Sequence, residues 1–137
     1  MESTTILDLL NDLRKKCIAN DDELMNSLNI SLAEFNFFLI IDADKILSSE
    51  WLAENMNLSL SRVSRIIDRM VINGLLIRNI DPNDRRAIKL ELSEKGLYIY
   101  KRVILNKIDC EKNIRENLST EESQELESNL KRILSLL

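Results

Sequence analysis

The only proline and the only two glycines of this 137-residue chain, Gly74, Pro82 and Gly96, fall within one stretch of 23 residues. These residue types interrupt helices most strongly, proline by lacking an amide donor and glycine by its conformational freedom. Outside that stretch nothing forces the backbone away from a helix, so long helices are expected on both sides of a short, turn-rich segment. The length suits one domain with its own core, or a small domain with an appended helical interface.

Apolar periodicity and capping residues place the elements. Ile6, Leu9, Leu10, Leu13 and Cys17 recur at helical spacing. That helix either runs on through Leu24 and Leu28 or breaks near Asn20, Asp21 and Asp22. Ser31-Leu32-Ala33-Glu34 is a capping-box pattern, with the serine accepting from a first-turn amide and the glutamate reaching back. It opens a second helix expected to bury Phe35, Phe38 and Leu39. Ser48 or Ser49 caps a short helix carrying Trp51, Leu52 and Met56, and Asn57 suits the left-handed position that ends it. Ser59 caps the next helix, which stops at Asn73-Gly74. Residues 75–80 and 87–92 are expected strands, the second alternating apolar and charged side chains, joined through Asp81-Pro82-Asn83-Asp84, which has turn chemistry. Ser93 begins a long helix with Leu97, Tyr100, Ile104 and Ile108. Ser119-Thr120-Glu121-Glu122 repeats the capping-box pattern before a last helix, whose Leu126, Leu130, Ile133 and Leu137 form a narrow seam suited to another helix. The expected fold class is mainly α with a small β-hairpin.

The chain contains no histidine. That removes the commonest metal ligand and the usual general base, and no nucleophile–base pair or glycine-rich phosphate loop is evident, so neither an enzyme nor a metal or cofactor site is expected. Two cysteines, Cys17 and Cys110, do not make a disulfide framework. No apolar run approaches a membrane span and no leader pattern opens the chain, so a soluble cytoplasmic protein is expected.

The formal net charge is −4, yet it is segregated. Residues 61–102 carry ten Lys/Arg against five Asp/Glu, and the remainder is strongly acidic. Phosphate binding depends on local potential, so an acidic average does not exclude it. The basic part coincides with the fourth helix, about residues 60–73. On a helical wheel Val63, Ile66, Ile67, Met70 and Val71 gather on one side, and Arg65 falls opposite, flanked by Ser61, Arg62, Arg69 and Ile72. A short helix, a tight turn and a helix with an outward arginine–serine face form a device for the major groove. The hairpin tip adds Asp84, Arg85 and Arg86, one arginine directed to DNA and the other to the fold; such a tip fits the narrow minor groove.

These residues resemble the MarR family of bacterial winged-helix transcription regulators. The resemblance covers nearly the whole chain. It is carried by Leu28-Asn29-Ile30-Ser31, by Ser61-Arg62-Val63-Ser64-Arg65-Ile66-Ile67-Asp68-Arg69-Met70, by Gly74-Leu75-Leu76-Ile77-Arg78, and most specifically by Asp81-Pro82-Asn83-Asp84-Arg85-Arg86 with Leu92-Ser93-Glu94-Lys95-Gly96. It implies a winged helix-turn-helix over residues 31–96 and a helical dimerisation region from 1–30 and 97–137. Ser64 and Arg65 correspond to recognition-helix contacts, Asp84 and Arg86 to a wing aspartate–arginine pair with Arg86 in the minor groove, and Asp68 to an internal partner for a wing or helix arginine. Some relatives sense peroxide through a first-helix cysteine, and Cys17 lies in that region; its place on the apolar stripe favours a buried, inert thiol instead. Cys110 is expected to be structural too. Other relatives bind a small phenolic or aromatic ligand, and nothing here names one.

The expectation is thus a homodimeric regulator, of a type that is most often a repressor, on a pseudo-palindromic duplex. The DNA-binding residues are Ser61, Arg62, Ser64, Arg65, Arg69, Arg85 and Arg86. The alternative from a different class is a winged-helix protein-interaction module without sequence-specific DNA binding, which the acidic balance keeps open.

Overall fold

The computed structural model describes residues 3–43, 48–81 and 83–137, without the side chains of 81 and 84–88. It contains helices α1 (Ile6–Leu28), α2 (Leu32–Ile40), α3 (Ser49–Met56) and α4 (Leu60–Ile72). Strands β1 (Leu76–Asp81) and β2 (Asp84–Leu92) follow, then α5 (Glu94–Glu116) and α6 (Thr120–Leu136). The chain divides into two compact units, Met1–Val103 and Ile104–Leu137.

In the first unit each helix begins at a hydroxyl cap. Thr5 and Asp8 form a reciprocal box at α1, with Thr5 N–H donating to Asp8 Oδ2 at 2.9 Å and Asp8 N–H to Thr5 Oγ1 at 3.1 Å. α1 does not break at Asn20–Asp22, because none of those residues forbids helix and Asn29 supplies a better stop. Asn29 adopts φ 54°, and the next amide, Ile30 N–H, reaches back to Met25 O at 3.1 Å. The same device ends α3, where Asn57 takes φ 55° and Leu58 N–H donates to Ala53 O at 3.0 Å. Ser48, not Ser49, is the α3 cap, accepting from Trp51 N–H at 3.1 Å. At α2 the expected box takes a different form. Ser31 Oγ accepts from Glu34 N–H at 3.2 Å and donates to Glu34 Oε1 at 3.0 Å, which satisfies a carboxylate that is buried.

The core joins α2, α3, α4, the hairpin and the start of α5. Phe37, Phe38, Leu52, Val63, Met70, Leu75, Leu90 and Val103 are its most deeply buried side chains. Phe35 and Phe38 are buried as expected and Leu39 is half-buried, but Phe37 is fully buried as well. It meets Phe38 edge to face, ring centroids 5.6 Å apart. β1 and β2 pair antiparallel, Leu76 opposite Leu92, Arg78 opposite Leu90 and Ile80 opposite Ile88, with a register shift beyond Ile80 that brings Asp81 opposite Asp84. Pro82 lies outside the described residues.

The helix expected from Ser93 is present as α5; in the first unit it buries Gly96, Ile99 and Val103, and Tyr100 packs half-buried beside them. Gly96 approaches the chain entering β1 closely. A β-carbon on Gly96 would stand 2.0 Å from Leu75 O, so only glycine fits at this position. Ser93 locks the junction, its N–H donating to Leu75 O at 3.1 Å and its hydroxyl to Gly74 O.

Among the described residues, α1 packs on the core through its C-terminal end, at Leu24, Met25 and Leu28. Its expected apolar stripe is largely open to solvent, with Ile6, Leu9 and Leu13 more than half exposed.

The second unit holds the rest of α5 and α6. Arg115 joins them, donating from Nε to Glu111 Oε1 at 2.5 Å and from its Nη2 to Glu127 Oε1 at 2.7 Å. Ser119 and Glu122 form a complete capping box at α6. The seam residues Leu126 and Leu130 are exposed, and Leu137 lies beyond the helix end.

The Glu122 carboxylate accepts from the Ser119 amide and then from its hydroxyl, which holds its pKa below the ordinary value. A lowered folded pKa means this cap contributes above the unfolded glutamate pKa and is lost as pH falls through the folded value. The difference in thermal midpoint between wild type and Glu122→Gln is therefore expected to shrink steadily on acidification. A difference constant from neutral to strongly acid pH would contradict the cap.

Candidate nucleic-acid interface

α4 is strongly two-sided. Val63, Ile67 and Met70 are buried and Ile66 and Val71 half-buried, which seats the helix against the core. On the other side Ser61, Arg62, Ser64, Arg65, Asp68 and Arg69 are all exposed. Ser59 starts the helix, accepting from Arg62 N–H at 3.3 Å, and its hydroxyl lies 3.2 Å from that of Ser61. Asn73 ends it, and Gly74 at φ +74° turns the chain toward the hairpin.

Arg65 stands free of the scaffold rather than folded into it. It shares a small cleft of about 80 Å³ with Ser31, Ala33, Glu34, Ile66 and Arg69, so the first turn of α2 borders the arginine face. Asp68 is the one carboxylate on this face of α4, and its Oδ1 accepts from Arg78 Nη2. Arg78 lies on β1, so this ion pair ties the outward helix to the root of the hairpin. Both partners are exposed, and such pairs contribute at most about 1 kcal/mol to stability; the pair's effect is on position. The sequence leaves Asp68 between a wing partner and a helix partner. Only the reversal at Gly74, which brings residues ten apart side by side, identifies the partner.

The hairpin carries the remaining candidates. Asp84, Arg85 and Arg86 belong to β2, and their side chains lie outside the described residues. Among the described residues no three His, Cys, Asp or Glu side chains are placed to hold a metal ion. Nor is any described helix long and apolar enough to cross a membrane.

Cys17 corrects an expectation. It is exposed rather than buried, on a part of α1 whose apolar side chains are themselves largely open to solvent. Cys110, also expected to be structural, is exposed on α5.

The family model described as MarR family matches residues 23–88, from the end of α1 through most of the hairpin. The chain belongs to the MarR family. As a member it is a DNA-binding transcription regulator, and its fold is the winged helix-turn-helix, with α3 and α4 as the helix pair and β1–β2 as the wing. The multiple antibiotic resistance protein MarR of Escherichia coli (strain K12) is 27% identical over 114 residues, 82% of this chain and 79% of that protein. The transcriptional repressor MprA of the same strain is 27% identical over 128 residues, 91% of this chain and 72% of that protein. Among solved structures, wild-type MarR from E. coli in its apo form superposes with a TM-score of 0.67 at 25% identity, covering 98% of this chain and 99% of that one. A MepR–DNA complex from S. aureus superposes with a TM-score of 0.75 at 17% identity, covering 98% of both chains, a likeness of fold.

Proposed function

We propose that this MarR-family chain is a cytoplasmic homodimeric repressor. It lays α4 in the major groove of a pseudo-palindromic operator and the tip of its wing along the adjacent minor groove. The observation that carries this is the outward face of α4: three exposed guanidinium groups, Arg62, Arg65 and Arg69, beside the exposed hydroxyls of Ser61 and Ser64, with the only carboxylate on that face taken by Arg78. Arginine pairs bidentately with guanine or phosphate and serine meets either base edges or backbone, while the helix N-terminus adds amides and a positive dipole end. Arg85 and Arg86 are assigned to the wing contact with phosphate and minor groove, and Asp84 to orienting an arginine there.

Residues 31–96 are assigned to DNA binding, and 1–30 with 97–137 to dimerisation. Support comes from the aliphatic rows left open on α1, at Ile6, Leu9 and Leu13, and on α6, at Leu126, Leu130 and Leu134. Helices with such rows are completed by another helix. Two copies related by a twofold axis would set their α4 helices one DNA turn apart, about 34 Å.

The test is a fluorescence titration with duplexes that the protein selects from a random pool. Arg65→Ala is expected to weaken specific binding by roughly 1–3 kcal/mol and to relax preference at one base position per half-site. Arg86→Ala is expected to weaken binding with little change in sequence preference and to flatten the salt dependence. Wild-type affinity in both variants, or no binding to any duplex at low salt, would remove the assigned face; the second result would point to a protein partner.

A further inference from the structure

Leu60, the first residue of α4, leaves 52% of its surface to solvent. It takes no part in starting the helix, since the Ser59 hydroxyl does that. One turn on, Ser64 lies on the same row, and Ser61 and Arg65 complete an exposed patch of four residues at the N-terminal end of α4. In a helix that enters the major groove, the N-terminal residues are those that meet base edges. Three of these four side chains can exchange hydrogen bonds with bases or phosphates. Leu60 can offer only apolar contact.

The major groove presents one apolar group of matching kind, the C5-methyl of thymine. We infer that Leu60 is a specificity-determining residue that reads a thymine C5-methyl in each half-site. The inference rests on the proposed placement of α4 in the major groove and adds to it a base identity that no hydrogen-bonding residue supplies. Contact removes the leucine side chain and the methyl from water together. A cytosine at the same place would instead set its amino group against a side chain that cannot accept its hydrogen bond. Ile72, 83% exposed at the opposite end of the outward face, is the natural control.

The experiment uses the full-length protein and a duplex it selects from a random pool. Deoxyuridine replaces thymine one position at a time in both half-sites, which deletes the methyl and nothing else. Binding is then measured for wild type, Leu60→Ala and Ile72→Ala. At one thymine per half-site, loss of the methyl should weaken wild type about fourfold, the value of one methyl group kept from water, and leave Leu60→Ala unaffected. Ile72→Ala should respond as wild type does. Leu60→Ala remaining as sensitive as wild type at every thymine, no thymine responding in wild type, or insensitivity moving to Ile72→Ala would each overturn the assignment. If the protein selects a duplex that Arg65→Ala loses while Leu60 shows no coupling, only the inference fails. If it selects no duplex, the proposed function fails with it.

Discussion

Gly96→Ala is expected to destabilise the protein by about 3 kcal/mol, at the upper end of what added atoms cost in a packed site. The new β-carbon would lie 2.0 Å from Leu75 O and 3.0 Å from its carbonyl carbon, both backbone atoms with no rotamer to yield. Relief requires α5 to retreat from the start of β1, and the Ser93 amide bond to Leu75 O and hydroxyl bond to Gly74 O oppose that movement. A loss of this size in a chain of this length lowers the thermal midpoint by about 10 °C. Scanning calorimetry of the variant beside Ser93→Ala checks it, since the serine change removes a cap and is expected to cost only about 1 kcal/mol. Equal midpoints for Gly96→Ala and wild type would mean that α5 does not approach the strand this closely.

The second large effect is expected at Phe38. Its ring is fully buried between helices and packed edge to face on Phe37, so Phe38→Ala removes an aromatic ring and leaves a cavity the surroundings cannot close. Such truncations cost about 3–5 kcal/mol. Against a total stability on the order of 5–15 kcal/mol, this is a large share of what holds the domain together. Urea unfolding should show the midpoint falling with an unchanged slope. A loss below about 1 kcal/mol would place Phe38 outside the core.

The local chemistry of the chain is legible in its amino acids alone. Ser31, Ser48, Ser59 and Ser119 do cap helices, and Asn57 does take the left-handed position, because each depends on a side chain and backbone groups within a few residues. The two faces of α4 are legible for the same reason: five aliphatics and an arginine–serine arc at fixed angular spacing leave one way for the helix to sit. Periodicity fails where it carries no contrast or depends on distant chain. α2 is apolar almost all round, so its pattern does not distinguish Phe37 from its neighbours. The close seat of α5 against the strand entry depends on one glycine meeting a carbonyl some twenty residues earlier. The stripe on α1 is visible, but nothing in its pattern says whether the same chain or a second copy covers it. The expectation of a buried Cys17 fails on that account. For the site, the arginines are legible as types at positions, whereas the pairing of Asp68 with Arg78 needs the reversal at Gly74.

The uncovered aliphatic rows on the first and last helices have a consequence for gene control. If a second copy completes them, occupancy of DNA at low abundance rises with the square of the cellular amount of protein. Halving the supply would then cut promoter coverage to about a quarter, and modest changes in synthesis or degradation would act as a steep dial on expression.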